Sequence, residues 1–378
     1  MSSKGWNKYK LGEFAKLIKN QYQPTADEEL IYIGLEHIEQ QSLSINGTGN
    51  SKNVISQKYR FSNGDILFGK LRPYFRKVFR PNFDGVCSTD IWVINSKNGF
   101  DQGFLFYFLA NQSFIDACNS GSSGTRMPRA DWGHLSETEW SIPPLPTQRR
   151  IADILSSLDD KIELNRQTNA TLEAIAQAIF KEWFVDFNFP GATGEMVESD
   201  LGLIPKGWRV AQLGEVSDLL WGDTTTTKRS YTTEGYLAYS ASGPDGYLPY
   251  YDFSRQGIVV SAIGAYSGKT WFAQGNWSCI KNTIRLWSID DHISNEYLFL
   301  YTSGKDFWPL RGSAQPFISQ TNAREIKIIY PGNHLSSIFG EIIQPVFQLI
   351  RRNDDESITF SHTRDLLLPK LMNGEIEV

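Results

Sequence analysis

Between residues 58 and 80, basic side chains alternate with aromatic ones, and this pattern is suited to contact with a nucleic acid. The segment carries seven basic residues against a single acid, Asp65. Lys and Arg can neutralise phosphates, and Arg can also donate to the edge of guanine. An ordinary solvated basic face is the alternative that the sequence leaves open. The predicted contacts in this segment are Arg60, Lys70, Arg72, Arg76 and Lys77.

Two loops and a few isolated cations extend this set of candidates. Arg126 and Arg129 lie in a Gly/Ser-rich loop, and Arg311 begins a similar loop later in the chain. Between residues 206 and 311 the basic and acidic residues balance, so charge alone does not rank the candidates there. The net charge of -5 argues against DNA binding by the chain as a whole. The remaining candidates are Lys228, Arg229, Lys269 and Lys281.

No motif for catalysis, a cofactor or a metal is present in the sequence. Gly264–Thr270 is one residue too short for a phosphate-binding loop, and strand-like residues follow it. The five histidines are scattered, and the three cysteines show no paired spacing. No apolar run is long enough for a membrane helix, and the first residues do not resemble a signal peptide. We therefore expect a non-catalytic, cytoplasmic protein without a metal site or a cofactor of its own.

The chain contains an internal repeat. Gly5-Trp6 and Leu11-Gly12-Glu13 return with the same spacing as Gly207-Trp208 and Leu213-Gly214-Glu215. Further matches join Gly64–Leu67 to Gly257–Val260, Cys87 to Cys279, and Gly124–Pro128 to Gly312–Pro316. A chain that repeats a globular unit and a helix has two sites of one kind. That organisation suits a reader of two separated features on a long ligand such as DNA.

A long helix is predicted after Pro143–Pro146, because apolar residues recur there in alternating steps of three and four. This heptad pattern is typical of a coiled coil, and polar residues within such a seam usually fix the register. An amphipathic helix packed on one domain is the alternative. The seam residues are Ile151, Leu155, Leu158, Ile162, Asn165, Asn169, Leu172, Ala176, Ile179 and Trp183.

A second helical region is predicted near the end of the chain. Ile338, Ile342, Leu349 and Asn353 repeat the style of the first seam. Pro345 lies inside this pattern, and we expect it to kink or interrupt the helix. We expect the two helical regions to pair in antiparallel order.

These patterns predict an α+β chain in which two pseudo-repeated α/β domains are separated by two long, antiparallel, coiled-coil-like helical spacers. In the first domain, short apolar runs predict strands and one longer run predicts a helix. The predicted strands are Leu30–Leu35, Asp65–Phe68 and Ile91–Ile94, and the predicted helix is Gly103–Cys118. The predicted segments are a domain at 1–146, a helical spacer at 147–187, a linker at 188–206, a domain at 207–332 and a helical spacer at 333–378.

Several motifs together resemble the specificity subunit of a type I restriction-modification system, and the resemblance covers essentially the whole chain. The most specific motifs lie in the central helix and at the C-terminal end. The matching segments are Pro143–Ala152, Leu158–Asn165, Phe180–Phe187, Gly202–Trp208 and Arg364–Ile376, with the two repeated starts described above.

The resemblance implies that each globular domain is a target recognition domain reading one half of a bipartite, asymmetric sequence in double-stranded DNA. It implies that the helices space the half-sites and dock two methyltransferase (M) subunits, which use S-adenosylmethionine. Restriction (R) subunits that use ATP and Mg would then join the complex. This chain would have no active site. The competing hypothesis is a non-catalytic coiled-coil scaffold without sequence-specific DNA recognition.

Overall fold

The structure is a computed structural model, and it describes residues 5–25, 27–120, 128–304, 306–312, 315–331 and 334–378. The chain divides into two compact units. Unit 1 comprises Met1–Asn165 and Asp355–Val378, and unit 2 comprises Arg166–Asp354. Each unit therefore contains one globular domain and one part of each long helix. Within the described ranges, no helix combines the length and the apolar character that crossing a membrane requires.

Unit 1 is built on sheets that pack against short helices. Its described strands are β1 (Asn7–Lys10), β2 (Ala15–Ile18), β3 (Gln21–Tyr22), β4 (Ile31–Ile33), β5 (Gly49–Asn50), β6 (Lys58–Phe61), β7 (Ile66–Gly69), β8 (Val78–Phe79), β9 (Gly85–Cys87), β10 (Ile91–Ser96) and β11 (Glu139–Ile142). The helices are α1 (Leu11–Phe14), α2 (Gln102–Ala110), α3 (Gln112–Ser120), α4 (Trp132–Ser136) and the start of α5 (Leu145–Phe184). The strand orders are β2-β10-β7-β8, β3-β6-β9-β4-β5 and β1-β11.

Unit 2 follows the same plan. Its described strands are β12 (Met196–Ser199), β13 (Gly202–Pro205), β14 (Arg209–Gln212), β15 (Ser217–Trp221), β16 (Tyr236–Ser240), β17 (Gly243–Leu248), β18 (Phe253–Ser254), β19 (Gly257–Ser261), β20 (Thr270–Ala273), β21 (Asn276–Cys279), β22 (Thr283–Ser288) and β23 (Lys327–Tyr330). The helices are α6 (Leu213–Val216), α7 (Asn295–Thr302), α8 (Gln320–Arg324) and the start of α9 (Leu335–Met372). The strand orders are β15-β22-β19-β20, β17-β16-β21-β18, β14-β23 and β12-β13.

The internal repeat is visible in the strand order and in the register. The sheet β2-β10-β7-β8 corresponds to β15-β22-β19-β20, because both have the same antiparallel connections. Cys87 and Cys279 occupy equivalent places on strands that have a parallel neighbour. One sequence match was out of register by one residue. The strand pairing aligns Leu67 with Val259 rather than with Val260.

Each long helix begins against a helix of its own globular domain, and a side chain of the first turn makes the connection. In unit 1, the buried Gln148 accepts a hydrogen bond from the backbone N–H of Asp101, at 2.9 Å. In unit 2, Ser336 accepts one from the backbone N–H of Ser294, at 3.0 Å. Asp101 and Ser294 are also the N-caps of α2 and α7. The two units therefore attach their helices at equivalent points.

Within each unit, α5 and α9 contact each other in antiparallel order. In unit 1, Asn165 donates to Glu356 at 2.9 Å, while Asp159, six residues earlier on α5, accepts from Arg364 at 2.6 Å. In unit 2, Asn169 accepts a hydrogen bond from Asn353 at 2.8 Å. All ten residues proposed for the seam of α5 are buried or half-buried. The two asparagines face the partner helix, which is where residues that fix the register are expected.

The proposed seam of α9 was largely wrong. Ile338, Ile342 and Leu349 are exposed, and only Asn353 is buried. The buried face of α9 in unit 2 begins with Leu335, Phe339, Ile343 and Phe347. Apolar residues therefore follow the helical period on two faces of α9, and periodicity alone selects the wrong one.

Four local predictions also require correction. Pro345 does not interrupt α9, because its side chain is exposed and one missing N–H removes a single helical hydrogen bond. A kink at Pro345 stays a prediction. The helix predicted over Gly103–Cys118 is two helices, since Asn111 between α2 and α3 has an extended backbone. The predicted linker at 188–206 contains the β12-β13 hairpin. The first long helix spans 145–184, against the predicted 147–187.

Candidate nucleic-acid interface

The equivalent sheets β2-β10-β7-β8 and β15-β22-β19-β20 each collect predicted contact residues at one end. In unit 1, β2 ends and β10 begins at this end of the sheet, and β7 is joined to β8 there by residues 70–77. We call residues 70–77 turn A. In unit 2, β19 is joined to β20 at the equivalent end by residues 262–269, which we call turn B. We call these ends the turn ends of the two sheets.

Turn A and turn B have the same hydrogen-bonding frame. Each is closed by a bond of 2.9 Å, from Gly69 N–H to the Lys77 carbonyl and from Ser261 N–H to the Lys269 carbonyl. Each is also held by a carbonyl of the loop before the unit's last strand. Arg72 N–H donates to the Pro128 carbonyl at 2.8 Å, and Gly264 N–H donates to the Pro316 carbonyl at 2.9 Å. The two turns are therefore equivalent, and Arg72 corresponds to Gly264.

Three predicted residues of unit 1 lie together at its turn end. Leu71 of turn A forms a β-bridge with Arg129, and the Lys70 carbonyl accepts from Ala130 N–H at 2.9 Å. Lys70, Arg72 and Arg129 therefore share one short stretch of surface. Arg129 is 3.4 Å from Asp90, and this exposed ion pair offsets part of the local positive charge.

Three other predicted residues of unit 1 are committed to contacts inside the protein. Arg60 lies on β6 in the other sheet, where one guanidinium nitrogen donates to both carboxylate oxygens of Glu28, at 2.8 and 2.9 Å. Arg76 donates to the Gln41 carbonyl at 2.6 Å, and its side chain is only 13% exposed. Lys77 donates to the Leu35 carbonyl at 2.5 Å, and burial lowers the pKa of Lys77. These contacts use part of the donor capacity of all three side chains, and Arg76 is less accessible than Arg60. A DNA contact at Arg60, Arg76 or Lys77 stays a prediction.

The candidates of unit 2 also lie around its turn end. Lys269 of turn B is exposed, and its amine lies 5.8 Å from the ring centroids of Tyr266 and Trp271. Lys281 is exposed, and its backbone N–H donates to the Thr226 carbonyl at 3.2 Å. Arg311 is exposed and forms a β-bridge with Phe317, which also bridges to Ile263. Lys269, Lys281 and Arg311 are therefore brought near the same sheet end.

The loop that carries Lys228 and Arg229 contains one internal pair. Lys228 is bound to Asp245 at 2.5 Å and to Ser242 at 3.2 Å, although its side chain is 55% exposed. Arg229 is exposed. Among the described residues, its side chain has no hydrogen bond or ion pair. Arg229 is therefore the better candidate for an external contact.

Sequence reasoning missed a carboxylate that orders this loop. The carboxylate of Asp223 accepts from the N–H and hydroxyl groups of Thr225 and from the hydroxyl of Thr226. These hydrogen bonds lower the pKa of Asp223 to about 2. An Asp that precedes a run of Thr is a known turn signal, and it could have been used. Each turn also carries an exposed aromatic residue, Tyr74 in turn A and Tyr266 in turn B. Tyr74 belongs to the aromatic residues that alternate with the basic ones between residues 58 and 80, whereas Tyr266 was missed as a candidate.

Two predictions about chemistry can be compared with the structure. Turn B leads into strand β20 rather than into a helix, so Gly264–Thr270 lacks the context of a phosphate-binding loop. Across the part of the chain that the structure describes, no group of three or more His, Cys, Asp and Glu side chains could hold a metal ion. Arg126 and the stretch Gly124–Met127 lie outside the described residues.

Comparisons with known proteins identify the family. The model of the type I restriction modification DNA specificity domain matches residues 3–174 and 205–354. This is most of the chain, and the chain therefore belongs to that family. The two matched segments correspond to the two halves of the internal repeat.

Individual relatives agree with this assignment. The chain is 27% identical to the specificity subunit of the type I restriction enzyme HindI from Haemophilus influenzae, over 98% of this chain and 99% of that protein. It is 32% identical to the EcoDI specificity subunit from Escherichia coli, over 46% of this chain and 41% of that protein. The crystal structure of the S subunit from M. genitalium covers 97% of this chain and is itself covered to 96%, with a TM-score of 0.58. At 17% identity, that match supports the fold alone.

Proposed function

We propose that this chain is the DNA-recognition subunit of a type I restriction-modification complex. In this proposal unit 1 reads one half of a bipartite, asymmetric target and unit 2 reads the other half. The observation that carries the proposal is the repeated turn end. The same hydrogen-bonded turn occurs in both units, and cations surround it in each unit. In unit 1 they are the half-buried Lys70 and Arg72 and the exposed Arg129, and in unit 2 they are the exposed Lys269, Lys281 and Arg311. Two equivalent turns with different side chains are suited to reading two different half-sites.

The charge of the chain supports a role within a larger complex. With a net charge of -5, this chain by itself is a poor binder of phosphates. We infer that the modification subunits provide most of the electrostatic attraction, while the two turn ends discriminate between sequences. Two such subunits would bring S-adenosylmethionine, and restriction subunits would bring ATP and Mg. The residues of this chain bind and position DNA, and they carry out no chemical step.

The first test is a map of N6-methyladenine in a methylation-free bacterial host. The host expresses this chain together with the modification subunit encoded beside it, and a control host lacks this chain. We expect a split motif with an unspecified gap, present only when this chain is present. A continuous motif, or the same motif in the control, would refute the proposal.

A domain exchange distinguishes recognition from scaffolding. Residues 1–146 are replaced by the first recognition domain of another specificity subunit that has a known target. Recognition predicts that one half of the methylated motif changes while the other half remains. If the motif is unchanged, this chain is a scaffold and the bases are read elsewhere.

We further propose that the long helices act as a ruler between the half-sites. Helix α5 has 40 residues, which corresponds to about 60 Å at ~1.5 Å per residue. Deletion of the heptad 165–171 shortens such a ruler by about 10 Å while keeping the seam in phase. We expect the gap of the methylated motif to change, or methylation to be lost although the complex assembles. An unchanged motif would exclude the ruler.

A further inference from the structure

The two turns differ in the residues that occupy their left-handed backbone positions. In turn B these residues are Gly264 and Gly268, with φ of +107° and +91°. In turn A they are Arg72 and Arg76, with φ of +52° and +47°. Glycine adopts such angles freely, whereas a side chain with a Cβ is strained there. Unit 1 therefore keeps two arginines at positions where its own repeat has glycine.

Contacts inside the protein account for Arg76. Its guanidinium donates to the Gln41 carbonyl at 2.6 Å and lies 3.4 Å from the carboxylate of Asp365. The side chain is only 13% exposed, so it joins turn A to the rest of unit 1. The strain at this position is balanced by a structural contact.

Contacts inside the protein do not account for Arg72. Its N–H is bound to Pro128, and its carbonyl accepts from Phe75 N–H at 3.0 Å, so the backbone is fixed on both sides. The side chain is half-buried. Within the described ranges, its guanidinium has neither a hydrogen bond nor an ion pair. Arg72 thus presents a planar set of donors from a fixed backbone, and unrelieved strain of this kind is typical of functional positions.

We propose that Arg72 is a base-reading residue of unit 1 and that it recognises a guanine in the major groove. The proposal rests on the proposed function. A guanidinium can donate two parallel hydrogen bonds to O6 and N7 of guanine, which requires a well-positioned side chain. A phosphate contact has no such requirement, and the flexible Lys70 beside it can supply that contact. Gly264 cannot make this contact in unit 2, so the two half-sites are read differently.

The test asks whether loss of the Arg72 side chain and loss of N7 from one guanine remove the same contribution to DNA-binding affinity. The complex of this chain with its modification subunit is assembled with wild-type, Arg72→Gly or Arg80→Ala chains. Arg72→Gly installs the residue of turn B and removes the strain, so we expect an unfolding midpoint close to that of the wild type. Arg80→Ala is the matched control, because it removes an exposed arginine beyond the other end of β8. The probes are duplexes of the mapped motif in which each guanine in turn is replaced by 7-deazaguanine, which lacks the N7 acceptor.

For wild-type and Arg80→Ala complexes, we expect one 7-deazaguanine in one half-site to weaken binding. For Arg72→Gly, we expect a ~5- to 150-fold loss of affinity for the natural target, and no further loss at that guanine. If the Arg72→Gly complex still loses affinity at every 7-deazaguanine that weakens the wild-type complex, Arg72 does not read a base. The same holds if the substitution weakens binding to the target and to unrelated duplexes equally. Those results would leave the proposed function standing. The absence of any split motif for the wild-type chain would refute the proposed function itself, and Arg72 as a base reader with it.

Discussion

The two units hold parts of the same two helices against equivalent sheets, but they do so with different chemistry. In unit 1, the buried Arg364 of α9 is bound to Asp159 of α5 at 2.6 Å and to Asp365 at 3.1 Å. Asp159 also accepts from the hydroxyl of Tyr107 on α2, at 2.6 Å. Unit 2 uses aromatic side chains instead. They are Phe180, Trp183 and Phe184 of α5, Tyr297 of α7 and Phe339 of α9, with centroids 4.7–6.2 Å apart.

This difference suggests that the two units contribute different properties. Burying aromatic rings stabilises the folded protein strongly, and this stabilisation depends only weakly on how the rings are oriented. A buried ion pair contributes little net stability, because desolvation opposes the attraction, but it tolerates few geometries. We therefore expect unit 2 to supply more of the stability of the helix pair. We expect Arg364 to fix the register between α5 and α9 in unit 1.

Buried cysteines allow each unit to be followed separately. Burial raises the pKa of Cys87, Cys118 and Cys279 from 9.0 to about 12. In the folded protein these thiols stay protonated near pH 8 and react slowly with alkylating reagents. Alkylation of Cys87 and Cys118 therefore reports the opening of unit 1, and alkylation of Cys279 reports the opening of unit 2.

The largest expected effect is that of Phe339→Ala in unit 2. Phe339 is fully buried and contacts Phe180, Trp183 and Phe184. Removing such a ring typically lowers the free energy of unfolding by about 3–5 kcal/mol, because a cavity remains. Denaturant unfolding measures the loss, and alkylation should accelerate most at Cys279. The neighbouring Ile338→Ala is the control, since Ile338 is exposed and should change stability by under ~1 kcal/mol.

Arg364→Ala should have the next largest effect, comparable in size but confined mainly to unit 1. The substitution leaves Asp159 without its cation, and breaking a buried pair in this way typically costs about 3 kcal/mol or more. We expect faster alkylation of Cys87 and Cys118 and little change at Cys279. The double variant Arg364→Met, Asp159→Leu should recover part of the loss, because Asp159 is gone and Asp365 keeps Arg76 at 3.4 Å. The recovery stays incomplete, because the Tyr107 hydroxyl loses its acceptor. If alkylation accelerates equally at all three thiols, the two units open together. The proposed difference between the stabilising contacts of unit 1 and unit 2 would then be wrong.

The pH dependence of Arg364→Ala gives an independent test of this pair. Burial raises the pKa of Asp159 above 3.8, and the charge of Arg364 opposes that shift. When a carboxyl group has a higher pKa in the folded protein than in the unfolded chain, the folded protein binds its proton more tightly. The group therefore stabilises the fold at pH values below its pKa in the unfolded chain, and this stabilisation is lost as the pH rises through its pKa in the folded protein. The deficit of Arg364→Ala relative to the wild type should therefore be smallest near ~pH 4 and grow towards ~pH 7. A deficit that does not change with pH would show that Asp159 is not responsible for it.

Parts of this architecture were predictable from sequence because they depend on local patterns. The repeat and the seam of α5 were found from spacing alone, and the seam residues of α5 are indeed buried or half-buried. The same approach failed for α9, where Ile338, Ile342 and Leu349 follow the helical period on an exposed face. Periodicity finds an apolar stripe, but it does not say which stripe a partner covers.

The candidate interface shows a second limit of sequence reasoning. A cluster of basic residues does not reveal which of them have partners that are distant in sequence. Arg76 is bound to Gln41 and Asp365 and is largely buried, and Arg60 is paired with Glu28 at the surface, and neither partner was foreseen. The equivalence of Arg72 and Gly264 was overlooked, although Tyr74 and Lys77 recur as Tyr266 and Lys269 with the same spacing. The φ angles and the hydrogen bonds to the Pro128 and Pro316 carbonyls make it plain. Long-range contacts decided the cases of Arg76 and Arg60.

The smallest expected effects concern stability at these two equivalent positions. Gly264→Ala introduces a Cβ at φ +107°, where no other atom lies within 4 Å, so only backbone strain opposes it. We expect a loss of about 1 kcal/mol in the free energy of unfolding. Arg72→Gly relieves strain but gives the unfolded chain more freedom, and these contributions nearly cancel, leaving a change within about 1 kcal/mol. Thermal unfolding of both variants measures the difference. A large destabilisation by Arg72→Gly would mean that the guanidinium supports the fold, and the strain at Arg72 would then have a structural explanation like that at Arg76.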